Sequence, residues 1–202
     1  MSNNNLQLLT EWTPLSYTAD LIKESKDRND GKIVLKGVLQ RSDTLNQNGR
    51  VYPQSILQRE VTNYQKFIKE NRALGECDHP ESSVVELKNA SHIVREAYMD
   101  GDVVYGAIEI LNTPSGKIVQ SLIESGVTLG ISSRGVGSTR MKEGNQIVQD
   151  DFQLICFDMV SEPSTPGAFM LKESRILASD LEKSFNSTDK IDRTFNDILS
   201  WE

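Results

Sequence analysis

The sequence predicts a β-rich body of the α+β or α/β kind with two prominent helices, followed by a helical tail. Three observations carry that reading. Short runs of β-forming residues, each bounded by turn residues, fill most of residues 33–160. Two segments break this rhythm with apolar residues at three- and four-residue spacing, which marks amphipathic helices. After Pro163-Ser164-Thr165-Pro166-Gly167 the β-rich runs stop and only helical stripes remain. A chain of 202 residues has the length of one domain, or of one domain with a tail. The boundary falls near residue 173, giving a body of residues 1–173 and a tail of 174–202. Residues 1–30 are polar and broken by Pro14, and read as a flexible or removable N-terminal segment.

In chain order, Asp27-Arg28-Asn29-Asp30-Gly31 is a turn, and Ile33 to Leu39 is rich enough in β-formers to be a strand. Thr44 to Arg50 is a loop whose Asn48-Gly49 pair suits positive φ. Pro53 then opens a helix with an apolar stripe of Ile56, Leu57, Val61, Tyr64, Phe67 and Ile68. Val84 to Leu87, Ser91 to Tyr98 and Val103 to Leu111 read as strands, the last two joined by the turn Asp100-Gly101-Asp102. Thr113 as cap and Pro114 at the first helical position announce the second helix. Its apolar face is Ile118, Val119, Leu122 and Ile123, and Gly126 ends it. Val127 to Ser132 is a further strand, followed by glycine-rich Arg134 to Ser138, and Gln146 to Val148 and Phe152 to Val160 are two more. In the tail, Ile176, Leu177, Leu181 and Phe185 form one helical stripe, with Ser179 and Glu182 spaced as a capping box. Ile191, Phe195, Ile198 and Leu199 form the other.

Charge narrows the function classes. Twenty-two Lys and Arg stand against 29 Asp and Glu, a formal −7, which argues against nucleic acid as the main partner. No apolar run approaches the ~18 residues of a membrane span. The start, Met1-Ser2-Asn3-Asn4-Asn5, lacks a basic and apolar export signal, so Cys77 and Cys156 are expected reduced in a cytoplasmic protein.

Chemistry has few candidates. His79 and His92 are the only histidines. His79 lies in Gly75-Glu76-Cys77-Asp78-His79-Pro80, a polar turn directly after a helix, where functional side chains concentrate. Glu76, Asp78, His79 and Glu81 could form a metal cluster, but match no ligand-spacing rule, and a solvated acidic turn is the simpler reading. Cys77 is more simply a small buried thiol than a nucleophile. In Gly130 to Ser138, Ser132 and Ser133 sit among small residues at a strand's end beside Arg134. A glycine-rich turn competes there with a nucleophile site whose free N–H groups face an oxyanion. Asp158 is an acid inside the apolar run Ile155 to Val160, which implies either a specific buried partner or an edge strand facing solvent.

Asn48-Gly49-Arg50-Val51-Tyr52-Pro53, the helix after it, Gly75 to Pro80 and Gly130 to Ser138 together resemble, in order, the prohead core protein proteases of tailed myoviruses. The match spans roughly residues 30–170. That family is distantly similar to the herpesvirus assemblins. The resemblance implies an α+β fold with an assemblin-like β-barrel surrounded by helices, and a serine endopeptidase that digests scaffold and trims capsid proteins inside the immature prohead, in the host cytoplasm. It implies His79 as the catalytic base, Ser132 as the nucleophile and Asp158 as the third member. Assemblins use a second histidine in that third role, for which only His92 is available, and it precedes the serine. Ser133, Arg134 and Gly135 become oxyanion and substrate contacts, and Arg134 or Arg140 the reader of a substrate glutamate. No cofactor or metal is implied. The partners are scaffold and capsid proteins, with self-association like that of the assemblins.

The resemblance also implies cleavage after Glu in an aliphatic-x-Glu motif with a small residue following. Three such sites occur: Ile22-Lys23-Glu24-Ser25, Leu122-Ile123-Glu124-Ser125 and Leu171-Lys172-Glu173-Ser174. Self-cleavage is expected between Glu173 and Ser174, making the tail a propeptide, and secondarily between Glu24 and Ser25. The middle site ends a helix and is protected. Two other readings stay open: a non-catalytic scaffold-associated protein, and a metal-dependent hydrolase centred on Glu76, Asp78 and His79.

Overall fold

Strands are the commonest regular structure among the described residues, and the two expected helices are both present. The structure, a computed structural model, describes residues 7–14, 25–27, 29–80, 82–161 and 170–171. The strands are β1 Gln7–Pro14, β2 Val34–Arg41, β3 Arg50–Val51, β4 Leu74–Glu76, β5 Ala90–Asp100, β6 Val103–Ile110, β7 Gly130–Gly137, β8 Thr139–Lys142, β9 Asn145–Val148, β10 Gln153–Val160 and β11 Met170–Leu171. The helices are α1 Gln54–Lys69 and α2 Pro114–Glu124. The strands form three sheets, ordered β1-β7-β10, β11-β2-β6-β5-β4 and β3-β9-β8.

The result is a mixed α+β fold, but among the described residues the strands close no barrel. The first and second sheets meet through one isolated parallel bridge, Cys77 with Met159, instead of a continuous ladder. Closure needs pairing along a whole seam, so the expected assemblin-like barrel is corrected to open sheets packed together. The helical tail, its Ser179 and Glu182 capping box, Glu24, Glu81, Glu173 and Ser174 lie outside the described residues.

Helix α1 starts after Pro53 and buries Ile56, Leu57, Val61 and Tyr64 from the predicted stripe. Helix α2 is capped as expected: the Thr113 hydroxyl accepts the Gly116 N–H at 3.0 Å, with Pro114 at the first position. Its apolar face is narrower than the spacing suggests, because Val119 and Ile123 are buried while Ile118 is exposed. One core joins both helices to Leu35 and Leu39 of β2, Val94 and Ala97 of β5, Val104 and Ile108 of β6, Ile131 of β7 and Phe157 of β10. Tyr64 meets Phe157 edge-on, with ring centroids 5.6 Å apart. At about 25 cal/mol per Å² of apolar area removed from water, such burial is the main stabilising contribution.

Four local expectations change. Val84 to Leu87 forms no strand; Val84 and Leu87 are exposed, and a short 3₁₀ turn follows at Leu87–Asn89. Residues 7–14 form β1, paired to β7 along its whole length; it is an edge strand, where a terminal Pro14 is tolerated. Strand β7 begins at Gly130, not Val127, and runs through the glycine-rich segment read as a turn. Strand β8 pairs with β9 around Glu143 and Gly144, both at positive φ, a tight hairpin without the usual Asn-Gly signal.

Candidate active site

The site is built on the cross-strand register of β7 and β10. Ser132 lies opposite Asp158, and Arg134 opposite Cys156, so alternation puts Ser132 and Arg134 on one face with those partners. A β-bulge between Leu154 and Cys156 sets this register. Buried Glu60 of α1 supports it by accepting the Leu154 N–H at 2.9 Å. The Arg59 guanidinium donates to the carbonyls of Asp150 and Phe152 beside it.

His79 arrives from the second sheet. Strand β4 ends at Glu76, Cys77 bridges to Met159, and the Asp78 N–H donates to the Met159 carbonyl at 2.8 Å. Asp78 has φ +67°, a left-handed conformation that aspartate tolerates better than most side chains. That turn stops Cys77 and His79 from sharing one face as they would on a strand, and brings the imidazole to β7. His79 Nε2 is 2.6 Å from Ser132 Oγ, and His79 Nδ1 is 3.0 Å from Asp158 Oδ2. The imidazole is one-quarter exposed, whereas Ser132 and Asp158 are fully buried.

Asp158 is held by more than His79. Its Oδ1 accepts the Glu76 backbone N–H at 3.0 Å, an Arg134 N–H at 3.1 Å and the Cys156 thiol at 3.2 Å. Its Oδ2 also lies 2.7 Å from Arg134 Nε. Burial pushes the carboxyl up, but the His79 hydrogen bond, the Arg134 charge and the Glu76 N–H outweigh it and hold Asp158 below its ordinary value. The solvent-facing reading of Asp158 is thereby corrected. Arg134 also pairs with the Glu76 carboxylate and donates to the Ser82 carbonyl at 2.7 Å.

Several expected roles do not match these positions. Arg134 is an internal counter-ion, not a free donor or a reader of a substrate glutamate, and Gly135 lies in the middle strand of its sheet. A Cβ at Gly135 would stand 2.4 Å from a Phe152 ring carbon and 2.6 Å from the Gln153 carbonyl, so this glycine serves close packing. Ser133 lies opposite Phe157 on the core face, where its Oγ is buried without a hydrogen-bond partner among the described residues. Arg140 is exposed on β8. Glu76 is fully buried, so this acid is not a solvated one, whereas Asp78 is exposed. Its carboxylate is engaged by Arg134 and by the Glu86 N–H, and both His79 nitrogens face Asp158 and Ser132, leaving Glu76 and His79 differently committed from a metal pair.

His92 is brought to neither His79 nor Ser132 by a hydrogen bond. Its Nε2 lies 2.9 Å from the Phe157 carbonyl and its Nδ1 2.9 Å from Ser91 Oγ. Burial lowers its proton affinity, so it sits neutral, donating from Nε2 and accepting at Nδ1. Gly75 makes room for this ring, because a Cβ there would stand 2.2 Å from His92 Nε2. His92 thus pins β5 to the residue before Asp158. Sequence reading missed Glu76 and Arg134 as a buried pair; the one signal was charge inside segments otherwise poor in solvent-facing residues.

Comparison with known proteins bears on the family of this chain. The family model described as prohead core protein serine protease matches residues 10–180. The prohead core protein protease of Enterobacteria phage T4 is 32% identical over 157 residues, covering 71% of this chain and 74% of its own. Among solved structures, the bacteriophage T4 capsid assembly protease superposes with a TM-score of 0.67 at 26% identity, over 79% of this chain and 100% of that one.

Proposed function

The chain belongs to the prohead core protein serine protease family, and from that membership we propose a serine endopeptidase with Ser132 as nucleophile, His79 as general base and Asp158 as the group that orients it. The observation that carries this reading is the relay of 2.6 Å from Ser132 Oγ to His79 Nε2 and 3.0 Å from His79 Nδ1 to Asp158 Oδ2. Asp158 accepts the Nδ1 proton, which leaves the Nε2 lone pair facing the serine hydroxyl. As Oγ attacks the scissile carbonyl, Nε2 takes its proton and later gives it to the leaving amine, while the carboxylate stabilises the imidazolium. The acyl-enzyme is then hydrolysed by water, with His79 again as base.

The substrates in this proposal are scaffold and capsid proteins inside the phage prohead, cut after Glu in Leu/Ile-x-Glu motifs during maturation. Self-association, as in the assemblins, belongs to the same reading. The chain also cuts itself between Glu173 and Ser174, releasing the tail. The Glu124 site is unfavourable, since it closes α2 and Ile123 beside it is buried. At the Glu24 site, Ser25 is buried and its hydroxyl donates to the Val34 carbonyl at 3.0 Å, which should slow cleavage there.

Intact-mass measurement of the purified chain over time, beside Ser132→Ala, tests the proposal. Loss of residues 174–202 from the parent alone is the expected result. Equal clipping of both chains removes Ser132 as nucleophile. If both stay whole, failure to cut an added Leu-x-Glu peptide overturns the peptidase reading.

A further inference from the structure

The charges behind His79 are arranged in a way the triad alone does not require. Glu76, Arg134 and Asp158 are all fully buried and lie in one line of contacts. Arg134 donates to Oδ1 of Asp158 and its Nε lies 2.7 Å from Oδ2, on the very carboxylate that faces His79. A lone buried arginine there would cancel the aspartate charge and leave nothing to stabilise an imidazolium. Glu76 supplies a second negative charge at the same terminal nitrogen of the guanidinium that bonds Asp158, so the three groups together carry one net negative charge.

Glu76 is also a mechanical tie. Its carboxylate accepts the Glu86 N–H at 2.9 Å, its backbone N–H donates to Asp158, and its partner Arg134 holds the Ser82 carbonyl. Residues 82 and 86 belong to the segment that leads away from His79, so the buried pair grips that segment at two points.

We propose that Glu76 is a positioning residue of this protease: by neutralising Arg134 it leaves the Asp158 charge available to His79, and it anchors the segment that carries the imidazole. The proposal rests on the His79, Ser132 and Asp158 reading above. The other titratable groups around this centre do not supply the charge. Burial raises the Cys156 thiol of β10 and the Tyr64 phenol of α1 and keeps both neutral, and it keeps His92 of β5 neutral as well. Burial likewise raises the half-buried Cys77 thiol, and Asp78 on the same turn is exposed.

The test is the titration of the His79 imidazole by NMR in the full chain carrying Ser132→Ala, with Glu76→Gln, Arg134→Gln and both together. The chain has two histidines, so His92→Gln assigns the resonances. Glu76→Gln brings the local charge to zero and should lower the titration midpoint by about one pH unit, a tenfold loss of proton affinity. Arg134→Gln should raise it, and the double variant should return it close to the parent. In the active chain, Glu76→Gln should lower kcat with KM within about twofold, and shift the acid limb of kcat/KM the same way. Midpoints that do not move, or single variants that move in the same direction, overturn the proposal. If Glu76→Gln does not fold, Arg134→Gln set beside the double variant decides: a midpoint lowered by adding Glu76→Gln supports the charge role of Glu76 and an unchanged one overturns it. The titration needs no turnover, so unmoved midpoints beside an active parent chain defeat this proposal alone, whereas a parent chain without peptidase activity defeats the reading it rests on.

Discussion

The two faces of β7 carry adjacent serines with opposite surroundings. On one face Ser132 and Arg134 meet Asp158, Cys156, His79 and Glu76, and charge is balanced by charge. On the other, Ile131, Ser133 and Gly135 meet Phe157 and Phe152, and the Ser133 hydroxyl has no partner among the described residues. Neither serine is exposed. What separates the proposed nucleophile from a packing residue is therefore register, because a one-residue slip of β7 would exchange the two faces. The bulge at Leu154 and Cys156, held by Glu60, belongs to the proposed site for that reason.

The largest expected effects fall on the polar face. Ser132→Ala should lower kcat by about 10⁴-fold or more, as triad deletions do elsewhere. Its melting temperature should change little, since every ion pair of the site survives. Asp158→Asn should lose a similar factor in rate by offering His79 the wrong partner. Unlike the serine variant it should also destabilise, by about 3–5 kcal/mol, because Arg134 is left with an incomplete buried counter-charge. Denaturant unfolding of the two variants, set beside their rates, separates chemistry from scaffold. Equal stability losses would break the distinction drawn between them.

The core face should respond the other way. Gly135→Ala drives a methyl group into the Phe152 ring and the Gln153 carbonyl, and should cost about 1–3 kcal/mol of stability. The folded fraction should keep its activity, since no catalytic atom is touched. A loss of kcat without a loss of stability would mean that the two faces are not separable.

How much of this was legible in the sequence follows the same division. Ser132, His79 and Asp158 stand out in one dimension: a serine among small residues, a scarce histidine in a polar turn, an acid in an apolar run. The helices were legible too, because a cap and a 3.6-residue stripe are local signals. The Glu76 and Arg134 pair was not, since the two residues are 58 positions apart and meet only when β4 and β7 come together. Strand β1 looked like a polar leader because an edge strand has little need for apolar residues on both faces. Val84 to Leu87 had the composition of a strand but pairs with no strand among the described residues, and composition alone cannot supply a partner. Among the described residues the barrel expected from resemblance does not close at the seam, where one bridge stands in place of a ladder.

The two histidines extend the contrast to pH. His92 is neutral in the fold, with its proton affinity lowered by burial. Its contribution is complete above the unfolded value near 6.5 and is lost as pH falls below that, because the unfolded chain then binds the proton first. Asp158, held below its ordinary value, adds a second loss at lower pH, beginning near about 4 where the unfolded carboxyl protonates. Thermal melts at pH 7.5 and 5.5 should therefore differ in the parent chain, and the gap should narrow in His92→Gln. A gap of unchanged size would show that His92 is protonated in the fold and that its bond to the Phe157 carbonyl has been misread.

The smallest expected effect is the most exacting test of the two faces. Ser133→Ala removes a buried hydroxyl whose desolvation no hydrogen bond repays, so stability should stay level or rise by up to about 1 kcal/mol. The rate should stay within about twofold, because Ser133 reaches neither His79 nor Asp158 by any hydrogen bond described above. Ser132→Ala alters one atom of the neighbouring residue and should abolish turnover. Two identical deletions, one residue apart on a regular strand, then differ by about four orders of magnitude in rate, with the strand's alternation as the only cause. Should Ser133→Ala instead lose tenfold or more in kcat while its stability holds, the hydroxyl must reach the site in the working enzyme, and β7 must be able to turn that face toward the substrate.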